Sequence, residues 1–463
     1  MSRIAIPFLI VLALITGRSA LCAENSSTAE RPHIVFLLAD DLGWSDVGFH
    51  GGEIETKHLD RLAESGARLD AFYVQPVCSP TRAALMTGRY PMRMGLQVGV
   101  IRPFADYGLP LDERMLPAVL QEAGYVTAIC GKWHLGLHAP EFLPTRRGFD
   151  HQYGHYVGAL DYFTHRRDGG FDWHRNDEVC RDEGYTTTLI GDEAVRLIAA
   201  HDPSKPLFLY VPFNAPHTPL QAPEEYLSRY EHIENKKRRA YAAMVHCLDD
   251  QVGRITAAIE DRGMTEQTLF IFCSDNGGPT RHGATNGPLR AGKGTLYEGG
   301  VRVAACAAWP GHIEAGGVVE EPMHIVDWYP TLLNLAGASL DQEHPLDGKD
   351  ILPVLTAGES SPHEEILLNT TPTGGALRRG DWKIVIRGDR SAVDTNQNIR
   401  RSQTKVELFN LSEDPAEQHN LTEQHPEKLQ ELRDRLNEYA RAAVPPRNKP
   451  KAAGFRVPEI WGE

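Results

Sequence analysis

Four clusters of polar residues each follow a short apolar run of the sequence, at residues 40–41, 131–134, 214–217 and 274–278. In open α/β sheets the binding crevice lies beyond the carboxyl ends of the parallel strands. If the apolar runs are strands of one sheet, the four clusters lie at the same edge of that sheet. The sequence therefore predicts a binding or catalytic site built from these clusters.

Two of the clusters offer oxygen ligands for a metal ion. Asp40 and Asp41 end the first apolar run, and Asp275 and Asn276 follow another. Carboxylate and amide oxygens suit Ca²⁺ or Mg²⁺ rather than zinc. An isolated Asp-Asp pair more often caps a helix or faces solvent. At the end of a buried strand, however, two carboxylates are costly without a cation, so we expect a metal site here.

The other two clusters, together with a later glycine-rich loop, supply basic side chains. Lys132 and His134 alternate about Trp133, so both can face the crevice while the indole packs away. His217 follows a third apolar run, and Lys293 lies in the glycine-rich loop. A lone lysine or histidine is more often structural or solvent-exposed. The shared location predicts instead a site that binds an anion and transfers protons.

Cys78 is the cysteine whose position invites a chemical role. It lies in a polar loop, with Pro80 at the predicted start of a helix and Arg82 in its first turn. A loop that enters a helix presents free backbone N–H groups and the positive end of the helix dipole to an anion. The residue types alone leave open an unreactive cysteine near a helix start.

Five short apolar runs predict strands that are buried on both faces of a parallel sheet, at residues 34–39, 126–130, 207–213, 269–273 and 303–308. Amphipathic helical segments alternate with them, at residues 59–67, 115–123, 185–201, 235–262 and 326–336. This alternation predicts a large doubly wound α/β domain with a mixed, mainly parallel sheet. Short alternating segments and a final helix at residues 426–443 predict a small C-terminal antiparallel sheet with one helix.

The expected organisation is a signal peptide at residues 1–23, a catalytic α/β domain at residues 24–360 and a C-terminal subdomain at residues 361–463. A basic residue, an apolar run at residues 4–15 and small residues before Ala23 indicate the signal peptide. The run is shorter than the roughly 20 residues that a membrane-spanning helix needs. We therefore expect an exported protein without a membrane span, which is periplasmic, secreted or lysosomal according to the host.

The net charge limits the partners that this chain can bind. Its 463 residues include 48 Lys and Arg against 62 Asp and Glu, for a formal charge of -14. Non-specific binding to nucleic acid or to an anionic bilayer needs a basic surface. We expect neither partner, and any positive charge that serves an anionic substrate must be concentrated at the site.

The sequence Cys78-Ser79-Pro80-Thr81-Arg82, followed by Thr87-Gly88, resembles the signature of the type I sulfatases in the alkaline phosphatase superfamily. The strand-end clusters fall where that family places them, and residues 407–417 are similar to its closing sheet and helix. The resemblance thus spans nearly the whole mature chain. Three stretches look most like the arylsulfatase B subgroup, the N-acetylgalactosamine 4-sulfatases, at residues 40–51, 143–150 and 288–290.

The resemblance implies an alkaline phosphatase-like fold and hydrolysis of a sulfuric ester, with a sulfated sugar or an aryl sulfate as substrate. It implies that a formylglycine-generating enzyme oxidises Cys78 to formylglycine, whose hydrate offers two hydroxyls: one attacks sulfur and the other later expels sulfate. It further implies one Ca²⁺, with Mg²⁺ the less expected ion. The implied ligands are Asp40, Asp41, modified Cys78, Asp275 and Asn276.

The resemblance also implies a role for each basic residue. Arg82 and Lys132 would hold the hydrate and neutralise charge, as they do in family members. His134 would be the base that deprotonates the second hydroxyl. Lys293 and His217 would contact sulfate, and Lys293 by preference would protonate the leaving oxygen.

Two other functions stay open on the sequence. A phosphodiesterase or phosphonate hydrolase on the same scaffold would use overlapping metal and anion clusters. A non-catalytic protein that binds sulfated glycans would keep the pocket but lack the maturation of Cys78. The intact metal, base and cation positions favour the enzyme.

Overall fold

The structure is a computed structural model that describes residues 31–388 and 404–463, so the predicted signal peptide at residues 1–23 lies outside the described residues. In the described part of the chain the strands are β1 His33–Ala39, β2 Ala67–Leu69, β3 Phe72–Tyr73, β4 Val126–Lys132, β5 His151–His155, β6 Arg166–Arg167, β7 Gly170–Phe171, β8 His174–Arg175, β9 Glu178–Val179, β10 Leu207–Pro212, β11 Thr268–Ser274, β12 Ala305–Ala308, β13 Gly317–Val319, β14 Met323–His324, β15 Glu365–Thr371, β16 Gly374–Arg379, β17 Trp382–Arg387 and β18 Lys405–Asn410. The α-helices are α1 Lys57–Glu64, α2 Cys78–Thr87, α3 Leu116–Glu122, α4 Thr186–Ala200, α5 Glu224–Leu227, α6 Lys236–Asp261, α7 Glu298–Val301, α8 Trp328–Leu335, α9 Leu352–Ala357 and α10 Pro426–Ala442.

The larger sheet has ten strands in the order β13-β2-β12-β11-β1-β10-β4-β5-β8-β9. Its central strands, β11-β1-β10-β4-β5, are parallel, whereas β12 runs antiparallel to β11. The predicted mixed, mainly parallel sheet is confirmed. Between β11 and β12 the chain forms the site loop, a 3-10 turn at Thr280–His282 and the four-residue helix α7 rather than a long crossover helix.

The central strand β1 packs on both faces, as its continuous apolar sequence predicts. Ile34, Phe36 and Leu38 belong to a core formed with α2, α3 and α8. The alternate residues of the same strand belong to a second core formed with α1, α4 and α6. Side chains of a strand alternate between its faces, so the sheet is covered by helices on both sides.

The helices follow the predicted segments, with two differences at their ends. The segment predicted at residues 59–67 ends at Glu64, because Ala67–Leu69 pairs with the larger sheet as β2. The segment predicted at residues 326–336 begins with the 3-10 turn Ile325–Asp327, which precedes α8. Across residues 31–388 and 404–463, no helix has the length and hydrophobicity to cross a membrane.

A second, smaller sheet has four antiparallel strands in the order β15-β16-β17-β18. Helix α10 contacts β15, β16 and β17 and buries Leu432 and Leu436. These two leucines join the core that also contains Ile34 of the larger sheet. The predicted small antiparallel sheet with one helix is confirmed, and it shares a hydrophobic core with the α/β layers.

The chain after α10, residues 444–463, runs back over loops of the α/β layers. The backbone N–H of Arg447 donates to the Gly95 carbonyl at 2.8 Å, and that of Trp461 donates to the Phe171 carbonyl at 2.9 Å. The Trp461 side chain is buried, with 2% of the residue exposed. This C-terminal segment therefore holds the loop at residues 95–107, which reaches the site described next.

Candidate active site

The predicted clusters meet at the edge of the larger sheet where the parallel strands end. The backbone N–H of Asp275 donates to the Ala39 carbonyl, and that of Asp40 donates to the Ala215 carbonyl, both at 3.0 Å. These hydrogen bonds extend the contacts between β11, β1 and β10 beyond the strand ends. Eight of the ten predicted site residues expose 5% of their surface or less, so the site is buried.

Two buried ion pairs lie at the base of the site. Lys132 Nζ lies 2.5 Å from Asp40 Oδ2. Arg82 donates from Nε and Nη2 to Asp275 Oδ2 at 3.1 and 2.9 Å, and from Nη1 to the Lys132 carbonyl at 2.9 Å. Each buried charge has an opposite partner, which offsets the cost of removing it from water.

Asp41 connects these pairs to the outer part of the site. Its side chain lies 2.5 Å from Lys293 Nζ and 3.7 Å from His217 Nε2, and it accepts a hydrogen bond from Asn276 Nδ2 at 2.8 Å. Its backbone is left-handed, with φ of 75°, a conformation that the surrounding contacts must enforce. Burial opposes ionisation, but Lys293 and His217 hold the pKa of Asp41 well below its usual range.

Cys78 is the first residue of α2, so its predicted placement in a loop before the helix is wrong. The helix begins at Cys78, two residues before Pro80. Its N-cap is Val77, whose backbone is extended, with φ of -151° and ψ of 162°. The first turn of a helix carries N–H groups without intrahelical acceptors. Cys78 therefore lies at the positive end of α2, as the predicted anion site requires.

The Cys78 thiol contacts one acidic residue, Asp40, and one basic residue, Lys293. Sγ donates to Asp40 Oδ1 at 3.3 Å and accepts from Lys293 Nζ at 3.5 Å. Burial, followed by the charges of Asp275 and Asp40, raises the pKa of the thiol far above its usual value. The unmodified thiol is therefore protonated at neutral pH and is a weak nucleophile.

His134 presents one ring nitrogen without a partner. Nε2 lies 3.0 Å from the Ile101 carbonyl oxygen, whereas the buried Nδ1 has no hydrogen-bond partner. Since a carbonyl only accepts, Nε2 carries the proton and Nδ1 carries the lone pair. Burial, with Lys132 and Arg82 adding to it, lowers the pKa of His134 well below its usual value, so the ring is a neutral proton acceptor.

His217 and Lys293 mark the opening of the site. Their side chains are 18% and 21% exposed, more than those of the other predicted site residues. Burial opposes the charge on Lys293, but Asp41 and Cys78 raise its pKa above the usual value, so it stays protonated. Burial and the Lys293 charge lower the pKa of His217 to about 3. A substrate that enters here meets a cation first.

The residues fit an oxygen-liganded cation. Possible ligand atoms of Asp40, Asp41, Cys78 and His217 lie within 4.8 Å of one another, and the buried Asn276 Oδ1 has no hydrogen-bond partner. Carboxylate and amide oxygens that converge in this way suit Ca²⁺. His217, predicted as a sulfate contact, falls inside this group. Of the predicted ligands, Asp275 is not in this group; its Oδ2 accepts from Arg82 and its Oδ1 accepts from the Asp41 backbone N–H at 3.3 Å.

Sequence reasoning missed two residues that hold the site. Ile101 contacts His134 through its carbonyl. Tyr241, in the middle of α6, donates from its hydroxyl to the Asp41 carbonyl at 3.0 Å and accepts from the Gly43 N–H at 3.0 Å. One contact is made by a backbone group, and the other comes from a helix about 200 residues away in the chain. No local pattern in the sequence signals either of them.

Comparison with known proteins identifies relatives of most of the chain. A profile of the Sulfatase family matches residues 32–338, more than half of the sequence. Arylsulfatase J of Mus musculus is 38% identical over 470 residues, which cover 92% of this chain and 79% of the relative. N-acetylgalactosamine-6-sulfatase of Homo sapiens is 32% identical over 464 residues, with 91% and 88% covered. The crystal structure of Ps i-CgsB in complex with k-i-k-neocarrahexaose has a TM-score of 0.81 at 33% identity, with 90% of this chain and 94% of that chain covered.

Proposed function

Because this chain belongs to the sulfatase family, and is therefore a sulfuric ester hydrolase, we propose that it is exported and removes sulfate from a sulfated carbohydrate. The relatives bear different substrate names, and the arylsulfatase B subgroup stays a prediction. We take the N-acetylgalactosamine 4-sulfate ester as the substrate to test first. The division near residue 360 into catalytic domain and C-terminal subdomain belongs to the same proposal.

One observation carries the proposed mechanism: Cys78 lies between an anion that can bind metal and a cation that can bind sulfate. Sγ contacts Asp40 on one side and Lys293 on the other. An aldehyde hydrate formed from this side chain would place its hydroxyls among the same groups. The proposed nucleophile, metal ligands and anion-binding cation therefore come from one set of contacts.

Two groups formed or bound after synthesis complete the proposed site. The formylglycine hydrate made from Cys78 by a formylglycine-generating enzyme supplies a hydroxyl nucleophile in place of the thiol. The Ca²⁺ ion supplies positive charge that lowers the pKa of a bound hydroxyl and stabilises sulfate oxygens. Its proposed ligands are Asp40, Asp41 and the modified residue 78, whose ligand atoms lie close together, with Asp275 and Asn276, which lie outside that group but contact Asp41.

The side chains of the site then bind sulfate and move protons. Lys293, which faces the opening and stays protonated, binds a sulfate oxygen and donates its proton to the leaving alkoxide. His217 contacts sulfate beside it. His134 accepts a proton at Nδ1, the nitrogen without a partner. Arg82 and Lys132 keep the buried carboxylates paired and hold positive charge at the base of the site.

Parallel assays of an aryl sulfate and an aryl phosphodiester test the reaction class. We expect the purified, matured enzyme to hydrolyse the sulfate ester with the higher kcat/KM. A preference for the phosphodiester would favour the rival hydrolase.

The mass of the tryptic peptide that contains Cys78 addresses the binding-protein alternative, because oxidation to the aldehyde changes that mass. An unmodified peptide from the native host, together with no turnover, would establish a binding protein.

The sugar and ring position are tested by scoring free sulfate from a panel of oligosaccharides. The panel pairs galactosamine sulfated at position 4 with the same sugar sulfated at position 6, beside sulfated algal oligosaccharides. We expect release from the 4-sulfate. Faster release from the 6-sulfate would overturn the proposed subgroup without affecting the reaction class.

Removal of the metal should inactivate the enzyme and lower its melting temperature. Asp40 and Asp41 are buried. A cation that binds between them in the folded state offsets their mutual repulsion and stabilises the fold, so its removal lowers the stability. We expect treatment with a chelator to reduce kcat at least about tenfold, as loss of a charge-stabilising group does. Activity and melting temperature should return with Ca²⁺ more fully than with Mg²⁺. Full activity at zero calcium, verified by elemental analysis, would contradict the proposal.

A further inference from the structure

The second residue of the signature, Ser79, has no role in the mechanism proposed above. It is the second residue of α2 and is 1% exposed. Its Oγ accepts a hydrogen bond from the Ile101 backbone N–H at 3.1 Å. The carbonyl oxygen of Ile101 in turn lies 3.0 Å from His134 Nε2. Ser79 is therefore connected to the proposed base through a single residue.

We propose that Ser79 is a positioning residue, which through Ile101 fixes the tautomer and orientation of His134 so that Nδ1 is the proton acceptor. This inference rests on the proposed function, because it assumes that His134 acts as the base. A carbonyl oxygen accepts only from a protonated nitrogen, so Ile101 selects the tautomer with hydrogen on Nε2. The lone pair is thereby left on Nδ1.

The surroundings of the His134 ring leave little other means of orienting it. The backbone N–H of His134 donates to the Tyr156 carbonyl at 3.1 Å, which fixes the main chain. Gly158 packs so closely that a Cβ atom there would lie 2.4 Å from His134 Nε2. These contacts confine the ring on one face, and among residues 31–388 and 404–463 the Ile101 carbonyl is the hydrogen-bond partner of its side chain.

The loop that carries Ile101 is held from outside by the C-terminal segment. Arg447 bonds to Gly95 at one end of the loop, and Lys449 Nζ lies 2.9 Å from Asp106 near the other. The rings of Phe455 and Phe104 meet edge to face at 6.2 Å. Ser79 is the inner anchor of this loop, and it ties Ile101 to the helix that begins with Cys78.

The step that depends on Ser79 is a single proton transfer. In the second half of the reaction His134 Nδ1 would accept the proton of the free hydroxyl at residue 78. The electron pair of that O–H bond would form the C=O bond of the aldehyde as the C–O bond to sulfate breaks, and sulfate would leave with the electron pair of the broken bond. The imidazolium then passes the proton to water. A misplaced ring slows this step alone, because the first half of the reaction uses Lys293 as its proton donor.

The test compares Ser79→Ala with wild type on an aryl sulfate. The substitution leaves Cys78, Pro80 and Arg82 of the signature in place. The mass of the peptide that contains Cys78 gives the fraction of chains that carry formylglycine, and all rates are divided by that fraction. We expect steady-state kcat to fall at least tenfold and KM to fall with it, so that kcat/KM, which reports the unaffected first half of the reaction, stays within twofold. We also expect a new pre-steady-state burst of one aryl alcohol per site. Ser79→Thr, which keeps the oxygen, should restore the wild-type pattern.

Thr268→Val is the matched control. Thr268 is a fully buried residue at the opposite end of β11, and its hydroxyl donates to the Met264 carbonyl at 2.7 Å. It should show no burst and no tenfold loss of kcat. If Ser79→Ala does not purify as a folded protein, Ser79→Cys fills similar space with a weak acceptor and serves the same test.

Two results would overturn the inference. One is a Ser79→Ala enzyme whose kcat stays within twofold of wild type. The other is a loss in which burst and steady-state rates fall together, since that pattern reports a general structural defect. A wild-type enzyme that hydrolyses no sulfate ester would instead overturn the proposed function, which keeps the two failures distinct.

Discussion

Replacing Cys78 with serine should abolish multiple turnover on aryl sulfates. Serine cannot form the aldehyde hydrate by thiol oxidation, so the second hydroxyl that expels sulfate is lost. We expect kcat to fall at least about a thousandfold, a scale typical of the loss of an enzyme's nucleophile. The fold should be intact, because serine is smaller than cysteine and its hydroxyl can make the hydrogen bonds that Sγ makes with Asp40 and Lys293. Release of sulfate under steady-state conditions measures the effect.

Cys306→Ala provides the control for this prediction. Cys306 is also fully buried, but it lies in β12 and packs in the core with α1. Its loss should leave kcat within about twofold, because core substitutions of this size change stability more than chemistry. A Cys78→Ser enzyme that turns over at the wild-type rate, with the serine verified by peptide mass, would remove Cys78 as the source of the nucleophile.

Replacing Lys383 with methionine should destabilise the protein by about 3–5 kcal/mol, the cost of breaking a buried ion pair from one side. Lys383 is fully buried in β17, and its Nζ lies 2.7 Å from Glu298 Oε1 and 2.9 Å from Glu417 Oε1. Glu298 begins α7 and belongs to the α/β layers, whereas Lys383 belongs to the small sheet. The substitution leaves the buried Glu417 without its cation and leaves Glu298 with the more distant Arg302, whose Nη1 lies 3.6 Å from Glu298 Oε2. Urea denaturation followed by tryptophan fluorescence measures the change.

The loss should grow as the pH rises. Burial raises the pKa of Glu417 above its usual value even with Lys383 present. A carboxyl with a raised folded-state pKa binds its proton more tightly when folded, so its contribution to stability falls as the pH rises through that pKa. Loss of the Lys383 charge, which lowers the pKa of Glu417, raises that pKa further. We expect a larger difference from wild type at pH 8 than at pH 5.

Lys405→Met controls for the loss of a lysine from the small sheet. Lys405 also pairs with a glutamate, Glu407 at 2.7 Å, but its side chain is 51% exposed. Exposed pairs contribute about 0.2–1 kcal/mol, so this variant should unfold close to wild type. Equal stabilities for Lys383→Met and Lys405→Met would show that the buried pairs contribute nothing beyond a surface contact.

The fold could be predicted where one short pattern decides the structure. The five apolar runs became strands of the larger sheet because residues buried on both faces must be apolar throughout. The direction of β12 could not be predicted, because it depends on how the chain returns from β11. The start of α2 was misplaced because Pro80 marks a helix start strongly, while the extended Val77 has no sequence signal of its own.

The candidate active site could also be predicted only in part. The side chains after each strand could be predicted to converge, since parallel strands end at one edge of a sheet. The contacts between them could not, because a distance such as the 2.5 Å between Lys293 Nζ and Asp41 Oδ1 depends on loops from separate parts of the chain. The partner of the His134 ring is the backbone carbonyl of Ile101, and the Ile101 N–H in turn donates to the Ser79 hydroxyl; composition and spacing reveal neither contact.

The sequence by itself determined the chemical groups of this protein, the signature around Cys78 and the order of strands and helices that brings polar clusters to one edge. These features depend on residue type and on spacing along the chain. Only the tertiary structure decided which charge pairs with which, which nitrogen of His134 is free and how Ser79 reaches it through Ile101. Those features depend on distances between residues far apart in sequence, and such distances arise only when loops and helices pack against the completed sheet.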